Sequence, residues 1–450
     1  MSNLVADLRP YQRKGIRMML DRFNGKSLNA DDMGLGKTIQ SLAVIDRLHE
    51  RTLIVCPSPL KYNWVDEFKK FLPSVKPYVC SGQTPAVMRK LDRFQVYICN
   101  YEIVQYWRDT FIALGVKLLI CDESHYVKSS KSLRYKAVKA ISLTCEHRIL
   151  LTGTPIENQP AELWAQLQII DKDMFPSWLL FIKRYNGARR SRWGWQLKKA
   201  TNAPELNQIL LEKVMVRRKK TEVLKELPEK NRVVIPLEID NWEQYLEAEK
   251  NIIAWLRENT RLNLDKAKKG LAMIKIEKLK LISGLGKLKQ IINWANEESQ
   301  NQKLVVFCHH IQVLDHLRKG LKNCVIMDAE TKGEQRQKLV HVFQEDPKIR
   351  VFLSTLRVGG TGHTLHAAHT TIHCQLDWNP QKHSQAEDRV LRIGQTAKEV
   401  TNYYFIAKDT IEEKIINLLD LKRQNSSSVI DGEDQKESEM LTNLLQEMIK

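Results

Sequence analysis

The sequence predicts an α/β protein of two parallel-sheet lobes with helical insertions between them. Three observations predict it. Short apolar runs alternate with amphipathic stretches over the first ~230 residues. From about 160 to 300 the pattern turns helical and lysine-rich, with little strand signal. The alternation then resumes to about residue 425.

In the first lobe, 1–230, the strand candidates are Thr52–Cys56, Val96–Cys99, Leu118–Cys121 and Arg148–Leu151. Amphipathic stretches such as Leu60–Phe71 separate them. A helical protrusion is expected at about 160–215, and a helical linker or second protrusion at 231–285. The second lobe, 286–425, offers Leu304–Phe307, Cys324–Met327, Val351–Leu353 and Thr371–Cys374 as strands and Ile411–Lys422 as its last helix. Residues 426–450 read as an acidic tail behind a Ser426-Ser427-Ser428 hinge. No 20–50-residue repeat is present.

A chain of 450 residues can give each lobe its own core. Lys and Arg outnumber Asp and Glu by 71 to 53, a formal net charge of +18. The tail holds six acids and two bases, so the body is more basic still. That balance points to a polyanion such as nucleic acid, against the plainer reading of a basic protein with no such partner. The eight cysteines form no C-x-x-C pair, and several lie inside apolar runs, as reduced buried thiols do. His309-His310 and the series His363, His366, His369 and His373 lack a closing Cys or Glu framework in the sequence, which argues against zinc. No signal peptide and no bilayer-length apolar run occur, so nothing suggests secretion or a membrane.

Asp31-Asp32-Met33-Gly34-Leu35-Gly36-Lys37-Thr38 ends in the Gly-Lys-Thr of a phosphate-binding loop and leads into a helical run. Glycines let backbone N–H groups close around phosphate oxygens, Lys37 would reach the β- and γ-phosphates, and Thr38 would hold Mg²⁺. Asp31 stands where the strict pattern has its first glycine. About 85 residues beyond Lys37, Asp122 and Glu123 follow the apolar run Leu118–Cys121. Asp122 would hold Mg²⁺ and Glu123 would orient or deprotonate the attacking water. A helix N-cap at a strand exit is the rival reading of Asp122, weakened by the upstream loop.

Together these motifs resemble the ATPase core of superfamily-two helicases, in the Swi/Snf-type branch with its D-E-x-H box. The resemblance spans about residues 7–425 and implies two RecA-like lobes. Leu8-Arg9-Pro10-Tyr11-Gln12 matches the element whose glutamine reads adenine, and Gly360, a further nucleotide-binding candidate by the resemblance, falls in a second-lobe segment that couples ATP and DNA. Leu53 through Leu60 with Trp64 is similar to the strand and turn that touch the nucleic-acid backbone. Leu151-Thr152-Gly153-Thr154-Pro155 matches a coupling motif, and Met215 through Lys220 a signature at the exit of the first lobe.

In the second lobe, Gln385-Ala386-Glu387-Asp388-Arg389-Val390-Leu391-Arg392-Ile393-Gly394-Gln395 is the strongest match. It implies catalytic roles for Gln385 and for Arg389 and Arg392 as arginine fingers; a guanidinium suits this, being permanently charged and forked. The family implies DNA contacts at Pro57, Lys61, Thr152 and Trp378. Arg192 and Trp193, with Arg189, Arg190, Trp195, Lys198 and Lys199, interleave base with aromatic as nucleic-acid surfaces do, although such tryptophans also serve packing. This insert is similar to that of the annealing-helicase subgroup. Two departures stand out: Asp32 replaces a usual Glu, and His363 follows Gly362. Gly284-Leu285-Gly286-Lys287 echoes a phosphate loop but lacks the following Ser or Thr, and reads as the start of the second lobe. Lys266 to Lys289 holds eight lysines and one glutamate, expected as a solvated helix face near DNA.

The expectation is an ATP- and Mg²⁺-dependent motor that translocates on double-stranded or branched DNA and remodels DNA structures or bound proteins. RNA is the weaker partner. A strand-separating helicase and a non-catalytic DNA-binding scaffold are the rivals. The chain is expected to be a monomeric bare motor in the cytoplasm of a bacterial or phage-infected cell. Its tail, with Met440, Leu441, Leu444, Leu445 and Met448 on one face, is a candidate dock for a protein partner.

Overall fold

The computed structural model describes residues 3–156, 159–191, 194–197, 200–224, 226–259, 266–331, 333–360, 364–392 and 394–420. Arg192, Trp193, Lys198, Lys199, Gly362, His363, Ile393 and the 426–450 tail lie outside the described residues. The chain divides between residues 225 and 226 into two compact units.

The first unit is built on a seven-stranded sheet with order β3-β4-β2-β5-β6-β1-β9, every pair parallel. Its strands are β1 Lys26–Asn29, β2 Thr52–Cys56, β3 Tyr78–Val79, β4 Val96–Asn100, β5 Leu118–Asp122, β6 His147–Leu151 and β9 Met215–Val216. A separate hairpin pairs β7 Arg189–Ser191 with β8 Gly194–Gln196. Parallel strands need crossovers, and helices Lys37–Leu48, Lys61–Phe71, Val104–Ala113 and Leu133–Ser142 supply them. Helices on both faces explain the continuous apolar runs. In β5, Leu119 and Cys121 enter one core while Leu118 and Ile120 enter the other.

The expected protrusion comprises helices Ala161–Ile170, Trp178–Tyr185 and Ala203–Lys213 with the hairpin. Its Leu163, Leu167, Phe181, Leu206 and Leu210 share the core that covers one sheet face. Trp195 packs on that core beneath the Lys183 ammonium, so this tryptophan serves packing.

The second unit holds a six-stranded parallel sheet with order β10-β15-β14-β11-β13-β12. These strands are β10 Glu229–Leu237, β11 Leu304–Cys308, β12 Cys324–Met327, β13 Val351–Thr355, β14 Thr370–His373 and β15 Glu399–Ala407. Here the structure departs from the expected helical linker beginning at 231. Residues 229–237 form an edge strand that pairs along its whole length with β15. Its charged residues hid it: Lys230 and Arg232, two apart and so on one face, both reach Glu387. Helices Trp242–Asn259 and Lys266–Gly286 follow, as expected, and pack Tyr245, Ile252, Ile276 and Leu279 against Tyr404, Ile406 and helix 411–420.

Two lysines of the 266–289 stretch correct the reading of a solvated face. Lys280 is 1% exposed and Lys287 0%. Lys287 donates to the Phe405 carbonyl at 2.6 Å and pairs with the buried Glu412. It is a core ion pair, which disposes of any phosphate-loop role. All eight cysteines are free thiols, seven of them buried. No described helix is long and apolar enough to cross a membrane.

Candidate nucleotide-binding site

The strand order brings three carboxyl ends side by side: β5, β6 and β1 are neighbours, and Leu151 sits opposite both Asp122 and Asn29. The phosphate loop, the acidic pair and Thr152 emerge there, at the edge where open parallel sheets bind ligands.

The loop turns on Gly34 at φ 85° and Gly36 at φ 76°, left-handed values that suit glycine. Gly36 is doubly required, since a Cβ there would lie 2.4 Å from Gln12 Nε2. Helix Lys37–Leu48 starts immediately after, its N-terminus at the loop. Lys37 Nζ donates to the Asp31 carbonyl at 2.7 Å and the Asp32 carbonyl at 3.3 Å. Burial lowers its pKa, and the carboxylates of Glu123, Asp31, Asp122 and Asp32 oppose that shift. Its ammonium is a charged donor placed where a phosphate oxygen would accept from it.

Asp31 is a structural acid. Its buried carboxylate takes the Arg218 fork and an N–H from Gln40 at 3.2 Å. Asp32 pairs with Arg217 at 2.7 Å and accepts the Lys220 N–H at 2.9 Å. The 215–220 signature therefore anchors the loop from the far end of the same unit.

Asp122 receives the Trp64 indole N–H at 2.9 Å and the Glu123 backbone N–H at 3.0 Å. Burial first, and then the Glu123 carboxylate, pushes its pKa up to about 7. Glu123 sits in left-handed backbone at φ 51° and ψ 56°, a strained conformation for a side-chain-bearing residue and one concentrated at functional sites. Its Oε2 is buried without a hydrogen-bond donor, 3.4 Å from His125 Nδ1. His125 faces Thr152 Oγ1 at 3.4 Å. Met33 covers Gly153, where a Cβ would come within 2.8 Å of it and 3.6 Å of Lys37 Nζ. A hard dication fits this donor set, because it would relieve a crowded acid pair whose oxygens are directed by neighbouring N–H groups.

The family model described as SNF2-related domain matches residues 11–297, and that described as helicase conserved C-terminal domain matches 284–394. The chain belongs to the SNF2-related family. It is 32% identical over 429 residues to SWI/SNF-related matrix-associated actin-dependent regulator of chromatin subfamily A-like protein 1 of Xenopus tropicalis, covering 92% of this chain and 44% of the relative. It is likewise 32% identical over 449 residues to DNA annealing helicase and endonuclease ZRANB3 of Homo sapiens, covering 96% and 41%. The chain thus spans about two-fifths of the length of these relatives. A solved structure, the Sulfolobus solfataricus SWI2/SNF2 ATPase core in complex with dsDNA, aligns with TM-score 0.46 and 27% identity over 96% of this chain and 95% of that one.

Several motif residues of this SNF2-related chain sit differently from their expected roles. Trp64, expected beside nucleic acid, is 2% exposed and positions Asp122. Thr152, expected on DNA, is wholly buried, and its hydroxyl accepts the Thr154 N–H at 3.0 Å. Pro57 is buried too, and Lys61 Nζ donates to the Cys80 carbonyl at 3.0 Å. Gln12, expected on adenine, accepts the Arg9 N–H at 2.9 Å and donates to the Leu35 carbonyl at 3.3 Å. It braces the loop.

In the second unit, helix Pro380–Glu387 carries Gln385, and Arg389 and Arg392 follow it. Arg389 is 4% exposed and donates to the Gln385 carbonyl at 3.0 Å. Arg392 reaches Thr364 Oγ1 at 2.9 Å. Gly360 closes the short helix Leu356–Gly359, and a Cβ on it would sit 2.6 Å from the Leu356 carbonyl. Glu387, which sequence reasoning passed over, is wholly buried among Lys230, Arg232 and Tyr404.

Proposed function

We propose that this chain is a DNA-dependent ATPase that translocates on double-stranded DNA and remodels DNA structures or bound proteins. The acidic pair carries the reading: Glu123 is held in strained backbone beside Asp122, in the same charge cluster as Lys37. Lys37 binds the β- and γ-phosphates, with the N–H groups of 34–38 cradling them. Thr38 and Asp122 hold Mg²⁺, which when bound neutralises phosphate charge. Trp64 keeps Asp122 aimed, and Glu123 Oε2 orients the attacking water and takes its proton. In the second unit, Gln385, Arg389 and Arg392 are proposed to carry the catalytic roles that the family resemblance implies.

The excess of base and the names of the relatives support DNA as the polymer tracked. Lys37→Ala tests the reading. Duplex-stimulated ATP turnover should fall to background, and unchanged turnover would sink the assignment. Displacement of a triplex strand without unwinding of forked DNA would separate translocation from strand separation.

A further inference from the structure

Glu277, on helix Lys266–Gly286, gathers four donors. Its Oε1 accepts the Trp378 indole N–H at 2.6 Å and the Lys280 ammonium at 2.9 Å. Its Oε2 lies 3.2 Å from Nε2 of both His309 and His310, at the end of β11. His309 Nδ1 faces Asp377 at 3.3 Å, and Lys382 pairs with the same oxygen at 2.7 Å. The Lys280 ammonium stands 5.1 Å over the Trp378 ring.

Two imidazoles and a carboxylate this close could hold a metal ion. Gln375 argues otherwise. Its Oε1 accepts the backbone N–H groups of His309 and His310 at 3.1 and 3.0 Å. Its Nε2 must then face the Lys280 carbonyl at 3.1 Å and His310 Nδ1 at 3.0 Å. An amide donor on Nδ1 leaves the proton of neutral His310 on Nε2, pointing at Glu277, where a metal would need a lone pair. Lys280 and Lys382 add positive charge on the same two carboxylates. The cluster is a saturated carboxylate clamp.

What the clamp holds is the turn that starts helix Pro380–Glu387. Asp377 accepts the Asn379 N–H at 2.9 Å, and Asn379 caps the helix by accepting the Gln381 N–H at 2.9 Å. That helix bears Gln385 and leads to Arg389 and Arg392. We propose that Glu277 is a positioning residue, acting through Trp378 and the 377–380 turn to couple DNA occupancy to ATP turnover. The proposal rests on the ATPase reading above.

Glu277→Gln, Trp378→Phe and the double variant test it by a mutant cycle on the duplex concentration that half-saturates ATP turnover. Each single change should raise that concentration about tenfold, the double no further than the worse single, the coupling expected of a shared hydrogen bond. Glu277→Gln should leave DNA-free turnover and the KM for ATP within about twofold, a split that a merely destabilised protein would not show. Singles without effect, or a double whose effects multiply, would overturn it. So would stoichiometric Zn²⁺ retained by the wild-type chain on dialysis and lost from His309→Ala. Amide exchange over 377–387 reads the positioning without turnover: it should quicken about tenfold in Glu277→Gln, and equal exchange refutes the clamp. Wild-type turnover indifferent to DNA would refute the DNA-dependent reading and this proposal together, whereas DNA-stimulated turnover left unchanged in Glu277→Gln would refute the proposal alone.

Discussion

The Arg218 guanidinium forks onto the carboxylate of Asp31, with Nε 2.8 Å from Oδ1 and Nη2 on Oδ2. The same guanidinium donates to Gln40 Oε1 at 3.0 Å and to the Tyr11 carbonyl, and lies 5.3 Å over the Tyr11 ring. One side chain thus ties the element around Gln12, the phosphate loop and the helix behind it. The acid at the first glycine position is the counter-charge this arrangement needs.

Asp31→Gly, which restores the strict glycine pattern, should therefore damage the protein. Removing one partner of a buried pair costs about 3–5 kcal/mol, because the other charge stays buried. For a unit of this size that lowers the melting temperature by roughly 10 °C. Thermal unfolding checks it, and an equal or higher melting temperature would contradict the role given to Asp31.

Trp64→Phe keeps an aromatic ring, though a smaller one, and deletes the N–H on Asp122. That hydrogen bond favours the carboxylate, against burial and Glu123, which push the pKa up to about 7. Its loss raises the pKa further. If turnover needs ionised Asp122, the acidic limb of the pH profile of kcat/KM should move to higher pH, by about one unit for a hydrogen bond to a charged group. A superimposable profile would contradict this.

Glu387 has the opposite sign. Burial pushes its pKa up, but Lys230 and Arg232 outweigh burial and hold it well below the ordinary 4.5. Its stabilisation is thus present above the unfolded value and lost as pH falls through the folded one. Glu387→Gln should cost about 3–5 kcal/mol at neutral pH. Melting temperatures across pH should show the gap to wild type closing below about pH 4.5.

The legible parts of this chain were local. Gly34-Leu35-Gly36-Lys37-Thr38 and Asp122-Glu123 declare themselves because phosphate cradling and acid pairing need neighbours in sequence. The eight apolar runs read as strands are strands, since both sheet faces are covered and the runs are continuous. Long-range partners were not legible. Trp64 meets Asp122 across 58 positions and Arg218 meets Asp31 across 187, with no periodicity to announce either. β10 was hidden because an edge strand carries charges, here turned toward Glu387. His309 and His310 lacked an acid in sequence view, and helix Lys266–Gly286 brings Glu277 to them.

The most direct test of the central claim is steady-state ATP turnover with duplex DNA, wild type against Glu123→Gln. The variant keeps the shape of the side chain and removes the proton acceptor. Turnover should fall by about 10²–10⁴, the range for a lost general base, with ATP binding retained. Turnover within a few-fold of wild type would contradict the assignment of Glu123 and the ATPase mechanism built on it.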